Sequence, residues 1–520
     1  MPVEAFVHRS LCVVYLMIIC SLTCRCAEEM AFVSRHGDTL MLQDHPYGFA
    51  GANAYYLMES AARGDSATVG ALFAAAAAQG IQVVRTWAFH EGLNSSDPAV
   101  LQSAPGHFEE QAFRALDFVI AQAHLHGIRL VLPLVNNWED FGGMNAYVRW
   151  RSVVAAGRVR LAASDRPGGQ LVRGQFGRQY HTMVAGTLGH DDFYTDTLIR
   201  QWYQTTIKTV LGRINTRTGI RYSEEPAILA WELANEPRSS DRTGDIVKKW
   251  ASEMSAFAKS LDFHHLVGVG DEGMDVSADG YAMDGYDGQD WLFRGETGES
   301  FSALTSIPSI DFGSAHLYPD AWGLSPEAGN VWIRDHIRLS RTLRKPCILG
   351  EFASMTTRGL VYDSWCTTAV QEYGAGAIVW QLVSGNISAS DAFAFSCPDR
   401  DGACASMARA AVAWAQRYAP KAATAPDAVM LMQNYPNPFN GVTVIQYTLP
   451  ADATISLDLW NAAGAHVRSI ASGFRAAGLW REILNATHLA SGVYFSRLCV
   501  VTQGPSPQHA DASRIMVLVK

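Results

Sequence analysis

Charge is scarce in this 520-residue chain, and positive charge is scarcest. Asp, Glu, Lys and Arg make up 18% of it, and 50 acidic against 41 basic residues leave a net charge of −9. Phosphate recognition needs clustered Lys and Arg, so no nucleic-acid partner is expected and a neutral ligand fits. Long apolar runs are also missing. Beyond the N-terminus no segment stays apolar for 18 residues, so no later transmembrane helix is read. The one early run, residues 11–22, follows His8-Arg9 and precedes Arg25, Glu28 and Glu29. It is too short to span a bilayer and reads as an export signal over residues 1–26. Its cleavage site lacks the A-x-A pattern, and Leu22-Thr23-Cys24 is a poor lipobox, so a lipid anchor on Cys24 or Cys26 stays an open alternative. The mature protein is expected to be secreted or held at the cell surface.

Cysteine is sparse after the signal: Cys347, Cys366, Cys397, Cys404 and Cys499 remain of nine. An odd number cannot all pair internally. Cys397 and Cys404 bracket a turn-rich loop and are the best disulfide candidates in an exported chain. No Cys or His pair has zinc-site spacing, since the adjacent His264 and His265 point to opposite faces of a strand. No metal and no organic cofactor is expected.

What the chain does have is rhythm. From about 45 to 415, short β-like runs alternate with amphipathic or Ala-rich stretches, as in βα units. Eight strands are predicted, at 48–55, 82–88, 128–135, 228–235, 266–270, 311–316, 347–351 and 377–382. Helices are predicted at 67–79, 108–126, 192–216 and 245–261. Eight units suggest a (β/α)8 TIM barrel over residues 27–416 rather than an open sheet. The stretch 136–191 lacks periodicity and reads as a long loop on the C-terminal rim, opening with Asn136-Asn137-Trp138-Glu139-Asp140-Phe141-Gly142-Gly143, a mix suited to a cleft wall. An Ala- and Pro-rich linker is expected at 417–430. Residues 431–520 then alternate in pure β fashion and suggest a small immunoglobulin-like sandwich.

Two carboxylate motifs carry the chemistry. Trp231-Glu232-Leu233-Ala234-Asn235-Glu236-Pro237 ends the fourth predicted strand, and Ile348-Leu349-Gly350-Glu351-Phe352-Ala353 ends the seventh. Alone, each Glu reads equally well as a strand-end salt bridge. On two strands of one parallel barrel, both project from the C-terminal rim. Two carboxylates about 5–5.5 Å apart suffice to hydrolyse a glycosidic bond with retention.

Over most of residues 45–385 the chain resembles the glycoside hydrolases of family 5, and within them the endo-β-1,4-mannanases of subfamily 7. The resemblance rests on these two motifs and on Val84-Arg85-Thr86-Trp87-Ala88-Phe89, the Asn136–Gly143 block, His316-Leu317-Tyr318-Pro319-Asp320-Ala321-Trp322 and Val379-Trp380-Gln381-Leu382. It implies Glu236 as acid/base and Glu351 as nucleophile. It further implies that Arg85 holds the nucleophile ionised, that Asn235 meets the sugar 2-hydroxyl, that His316 and Tyr318 flank the carboxylates, and that Trp380 floors the central subsite. Trp87, Trp138 and Trp322 are weaker subsite candidates, and Glu272 is a candidate for binding a sugar hydroxyl. With Arg85 beside Glu351, Glu236 is expected to carry the proton. The tail, with Gln433-Asn434-Tyr435-Pro436-Asn437-Pro438-Phe439-Asn440, Ser491-Gly492-Val493-Tyr494-Phe495 and a final Lys520, resembles the C-terminal sorting domain of the type IX secretion system. The alternative, a carbohydrate-binding module, would display a planar row of aromatics. Here Tyr447, Trp460, Trp480, Tyr494 and Phe495 mostly read as core.

The resemblance thus implies a secreted, monomeric, retaining endo-β-1,4-mannanase acting on mannan, glucomannan and galactomannan. Its partners would be β-mannan polysaccharides and the type IX machinery. A cellulase or an exo-β-mannosidase of the same fold is the alternative. A glycan-binding protein on an inactive barrel is a third reading, disfavoured by the presence of Glu236, Glu351, Arg85 and Asn235 together.

Overall fold

Eight parallel strands wrap into one barrel: β1 Phe49–Asn53, β2 Val83–Arg85, β3 Arg129–Pro133, β4 Ile228–Glu232, β5 Leu266–Gly268, β6 Gly313–Leu317, β7 Cys347–Phe352 and β8 Gly376–Val379. The structure, a computed structural model, describes residues 30–92, 96–155, 171–173, 179–181, 188–355, 357–384, 391–397, 399, 401–418, 428–475, 477–502 and 509–520. The export signal and most of the 417–430 linker therefore lie outside the described residues. Strand neighbours run β5-β4-β3-β2-β1-β8-β7-β6. The seam between β5 and β6 closes through Asp311, whose amide bonds Val267 O at 2.7 Å and whose carboxylate accepts the Val267 amide at 2.9 Å.

The strands are buried on both faces, as parallel strands under a helical layer must be. Residues at or near their starts, including Phe49, Val83, Leu266 and Ile348, pack with Val33, Leu40 and Tyr47 of a three-stranded antiparallel sheet spanning Val33–Tyr47. That sheet plugs the N-terminal mouth of the barrel and leaves the C-terminal mouth for the site. The outer layer includes α1 Ser66–Ala78, α2 Glu110–Leu125, α3 Gly143–Ala155, α4 Thr197–Gly212, α5 Asp245–Leu261, α6 Pro326–Thr342, α7 Arg358–Gln371 and α8 Ala403–Tyr418. Amphipathic spacing places Val247, Trp250, Ala251 and Met254 of α5 inward. Asp196 caps α4 by accepting the Leu198 and Ile199 amides.

Two expectations need correction. The stretch after β3 is not all loop, because α3 occupies its first third. Tyr147 and Trp150 bury one face of α3 among aromatics, and that tertiary packing supplies what weak periodicity did not. The predicted helix at 192–216 is split by Asp196, whose extended backbone ends a short helix and caps the next.

The chain divides into two compact units, with the boundary in sequence between Tyr418 and Ala419. The second holds β9 Met430–Leu431, β10 Val442–Leu449, β11 Ala453–Asn461, β12 His466–Arg475, β13 Gly478–Asn485, β14 Gly492–Thr502 and β15 His509–Leu518. They form sheets β9-β10-β13 and β12-β11-β14-β15 around a core that includes Ile445, Tyr447, Leu457, Leu498 and Met516. Tyr447 and Tyr494 are buried there and Trp480 packs on its edge. Trp460 and Phe495 are register partners between β11 and β14, one residue out of phase with the core-facing Leu459 and Tyr494, so they lie on the sheet's other face.

Candidate active site

Glu236 and Glu351 meet at the C-terminal mouth of the barrel. Glu351 lies within β7 and Glu236 four residues past β4. One oxygen of each, together with a ring nitrogen of His316 from β6, lies within 4.8 Å of the others. The Asn235-Glu236 corner is held by its backbone: Asn235 N bonds Val135 O at 2.8 Å and Glu236 N bonds Gly270 O at 2.8 Å. Glu236 adopts φ +51°, a left-handed conformation that costs about 1–3 kcal/mol and persists where the surroundings over-determine it. Gly270 makes room for this corner, since a Cβ there would sit 2.0 Å from Ala234 O. Gly350 does the same beside Glu351: its Cβ would crowd Ser314 Oγ at 3.0 Å and His316 Nε2 at 3.2 Å.

Arg85, wholly buried at the end of β2, organises the floor. Its Nε donates to Glu232 at 2.7 Å, its Nη1 to Glu351 at 2.6 Å and to Asn53 Oδ1 at 3.2 Å, and its Nη2 to Asn235 Oδ1 at 2.8 Å. Asn235 passes the network on, donating to Asn136 Oδ1 at 3.1 Å. Tyr318 donates its hydroxyl to the second oxygen of Glu351. Glu236 is bracketed by His316 Nδ1 at 2.9 Å and the Trp138 indole N–H at 2.5 Å. Every oxygen of the two carboxylates thus has a fixed partner, which is the pre-organisation a low-dielectric site needs.

Protonation differs from the sequence expectation. Burial pushes Glu236 upward, but the hydrogen bond and charge of His316, followed by Arg238 and Trp138, outweigh it and hold the carboxyl at about 2. For Glu351 burial prevails over His316 and Arg85 and the carboxyl is raised. Burial alone would lower His316, yet Glu351 and Glu236 together raise it. Arg85 remains charged: its carboxylates overcome burial. Sequence reasoning paired Arg85 with Glu351 alone; here its charge is divided between Glu351 and Glu232, while an imidazole faces Glu236. Across the 2.9 Å hydrogen bond His316 and Glu236 each favour the charged form of the other.

A cleft of about 390 Å³ opens above the pair, with Tyr55, Trp87, Trp138, Phe141, Trp380 and Phe393 supplying its aromatic walls. Asn136, Asp140, Asn235, Tyr318 and Asp391 add polar groups. Tyr55 and Trp380 lie nearly parallel, at 9° with centroids 5.5 Å apart, and Trp87 tilts against both. Trp87, Trp138 and Trp380 thus stand on the cleft, and Arg85 and His316 stand directly behind the carboxylates. Trp322 does not face the cleft. It is 1% exposed and packs 5.1 Å from Trp332, because the short helix at Pro319–Trp322 turns it into the core. Glu272 is equally buried and holds Arg238 through bonds of 2.5 and 2.7 Å, leaving its carboxylate behind the wall. Arg238 in turn covers the Trp138 ring at 5.2 Å. Cys397 and Cys404 are joined in a disulfide, and Cys347 is buried with its thiol pushed well above the usual range by burial.

Sequence reasoning passed over Glu232, Asn53, Asp391 and Phe393. A carboxylate directly after the apolar run Ala227–Trp231, still within the strand, was the available signal for Glu232. Asp391 had no signal, being one acid in a small-residue stretch beyond the last strand.

Residues 30–413 match the model of GH family 5 beta-mannosidase-like proteins, and residues 433–503 match that of the secretion system C-terminal sorting domain. Mannan endo-1,4-beta-mannosidase 2 of Oryza sativa subsp. japonica is 35% identical over 380 residues, spanning 69% of this chain and 78% of its own. Mannan endo-1,4-beta-mannosidase 7 of Arabidopsis thaliana is 34% identical over 383 residues, 68% and 79% of the two chains. Among solved structures, the endo-1,4-beta-D-mannanase of Thermotoga petrophila RKU-1 aligns with a TM-score of 0.60 at 33% identity, covering 70% of this chain and 100% of that one. The endo-1,4-beta-mannanase of Rhizomucor miehei aligns at 0.60 and 32%, covering 74% and 100%.

Proposed function

The chain belongs to the family 5 β-mannosidase-like glycoside hydrolases, and from that membership we propose that it is an exported, subfamily 7-like endo-β-1,4-mannanase that cleaves with retention. The observation that carries the mechanism is the approach of Glu236 and Glu351 oxygens within 4.8 Å. That spacing suits a direct nucleophile, whereas an inverting pair stands about 6.5–9.5 Å apart to admit water. The names of the rice, Arabidopsis, Thermotoga and Rhizomucor relatives support mannan as the substrate and internal cleavage as the mode.

Glu351, with one oxygen on Arg85 and the other on Tyr318, attacks the anomeric carbon and forms a glycosyl ester. Glu236 delivers to the departing oxygen the proton shared with His316. A water then enters, Glu236 takes its proton, and the hydroxide oxygen displaces Glu351. Asn235, oriented by Arg85 and Asn136, meets the sugar 2-hydroxyl. Trp380, Tyr55 and Trp87 stack on the sugar faces. The 431–520 sandwich is the address read by the type IX machinery, joined to the barrel by the 417–430 linker, and 1–26 is the signal removed on export.

Product analysis on unsubstituted mannan, glucomannan and carboxymethyl cellulose side by side tests the substrate. Viscosity of mannan should fall before much reducing sugar accumulates. Release of mannose alone would make the enzyme exo-acting, and a preference for carboxymethyl cellulose would make it a cellulase.

A further inference from the structure

We propose that Asp391 is a positioning residue of the cleft: it sets the plane of the Trp380 ring. The inference rests on the glycoside hydrolase reading of the cleft.

One oxygen of Asp391 accepts the Trp380 indole N–H at 2.6 Å and the Gln381 side-chain amide at 2.9 Å; the other accepts the Phe393 backbone amide at 2.9 Å. Indole has a single donor, so a short bond to an acceptor of fixed position removes the ring's rotational freedom. Trp380 is half-buried. Two residues on, Phe393 lines the cleft and meets the Tyr318 ring edge-on, with centroids 5.7 Å apart. Tyr318 is the residue whose hydroxyl donates to Glu351. One short segment therefore touches both the sugar-stacking ring and the donor on the attacking carboxylate.

The segment is itself fastened at several points. Phe395 N bonds Gln381 O at 3.0 Å and Val383 N bonds Phe395 O at 2.8 Å, tying it to the end of β8. Arg358 of α7 donates to Ala392 O and, at 3.1 Å, to Ala394 O. The Cys397–Cys404 disulfide secures its far end to α8. Such fastening is what a positioning element needs, since a misplacement of about 1 Å in a site can cost on the order of 100-fold in rate.

The test is a double-mutant cycle on the full-length enzyme with Asp391→Ala and Trp380→Phe, using whichever β-1,4-glycan the unaltered enzyme cleaves fastest. A failure of the mannan reading is thereby kept apart from a failure of this one. Phe keeps an aromatic face but has no N–H to orient. Asp391→Ala alone should lower kcat/KM by about 10–100-fold. In the Trp380→Phe background the same change should cost no more than about twofold. An Asp391 that merely capped its own turn would instead give independent, additive losses, and that result overturns the proposal. Undiminished activity in Asp391→Ala overturns it as well. If Asp391→Ala does not fold, the cycle is run with Asp391→Asn, whose single acceptor oxygen should give a smaller loss that is again erased by Trp380→Phe.

Discussion

At the scale of single residues, the two carboxylates differ in their partners, and the roles proposed for them follow that difference. Glu351→Gln should nearly abolish turnover while melting behaviour is kept, because Arg85 and Tyr318 still find oxygen or amide partners. Glu236→Gln should cost about 10²–10⁴-fold on polymeric mannan and much less on an aryl glycoside whose leaving group needs no proton. Steady-state kinetics on both substrates checks this, and wild-type-like activity of either variant on mannan rejects the assignment. His316 adds a pH prediction. Its proton is held above the ordinary 6.5, so the shared proton survives as pH rises past that value. Removing the imidazole leaves only carboxyls to hold it. The alkaline limb of the kcat/KM profile should therefore move to lower pH in His316→Asn, and an unmoved limb would reject the sharing.

At the scale of elements, the cleft wall after β3 leans on a buried acid. Glu91 follows β2, accepts the Gly143 amide at 3.2 Å, and bonds Phe141 O through its own amide at 2.8 Å. Burial raises its carboxyl from an ordinary 4.5 to about 8. The folded chain thus keeps a proton that the unfolded chain has lost between those values, so stability from this group is fully present below 4.5 and declines as pH rises through about 8. Glu91→Gln keeps the acceptor for Gly143 and removes the titration. Melting temperatures of wild type and variant should agree near pH 4 and diverge in favour of the variant at pH 8 to 9. Parallel curves would show that Glu91 does not titrate in this window.

At the scale of the whole molecule, two units with separate cores imply separable roles. The barrel buries its own aromatic and aliphatic core, and the sandwich buries another around Tyr447 and Leu457. Truncation near Ala425 should leave a barrel with full activity. In the native host that shortened protein should accumulate in the periplasm while the complete chain reaches the surface or medium. Cell fractionation and adsorption to insoluble mannan, measured for both forms, decide between an address and a binding module. Normal export with lost adsorption would favour the module, for which Trp460 and Phe495 on the outer sheet face would be the first residues to examine.

The barrel was legible in the sequence because its strands are short buried runs set apart by amphipathic helices, a pattern that local hydrophobicity carries on its own. So was the pairing of Glu236 with Glu351, since parallel strands of one barrel deliver their ends to one rim. What tertiary structure alone decided is the company each group keeps. Whether Trp322 faces a sugar or a core depends on how its short helix turns against Trp332, and whether Glu272 is a sugar ligand or a prop depends on where Arg238 reaches. Neither is encoded in local spacing. Arg85 was visible as a partner of Glu351, but its division between two carboxylates arises only when the closed barrel brings β2, β4 and β7 around one interior. Asp391 carried no pattern at all: its role exists only because a segment beyond β8 is folded back and pinned against Trp380. Periodicity reports which face of an element is buried, and charge sharing is a property of atoms brought within 3 Å from opposite sides of a barrel.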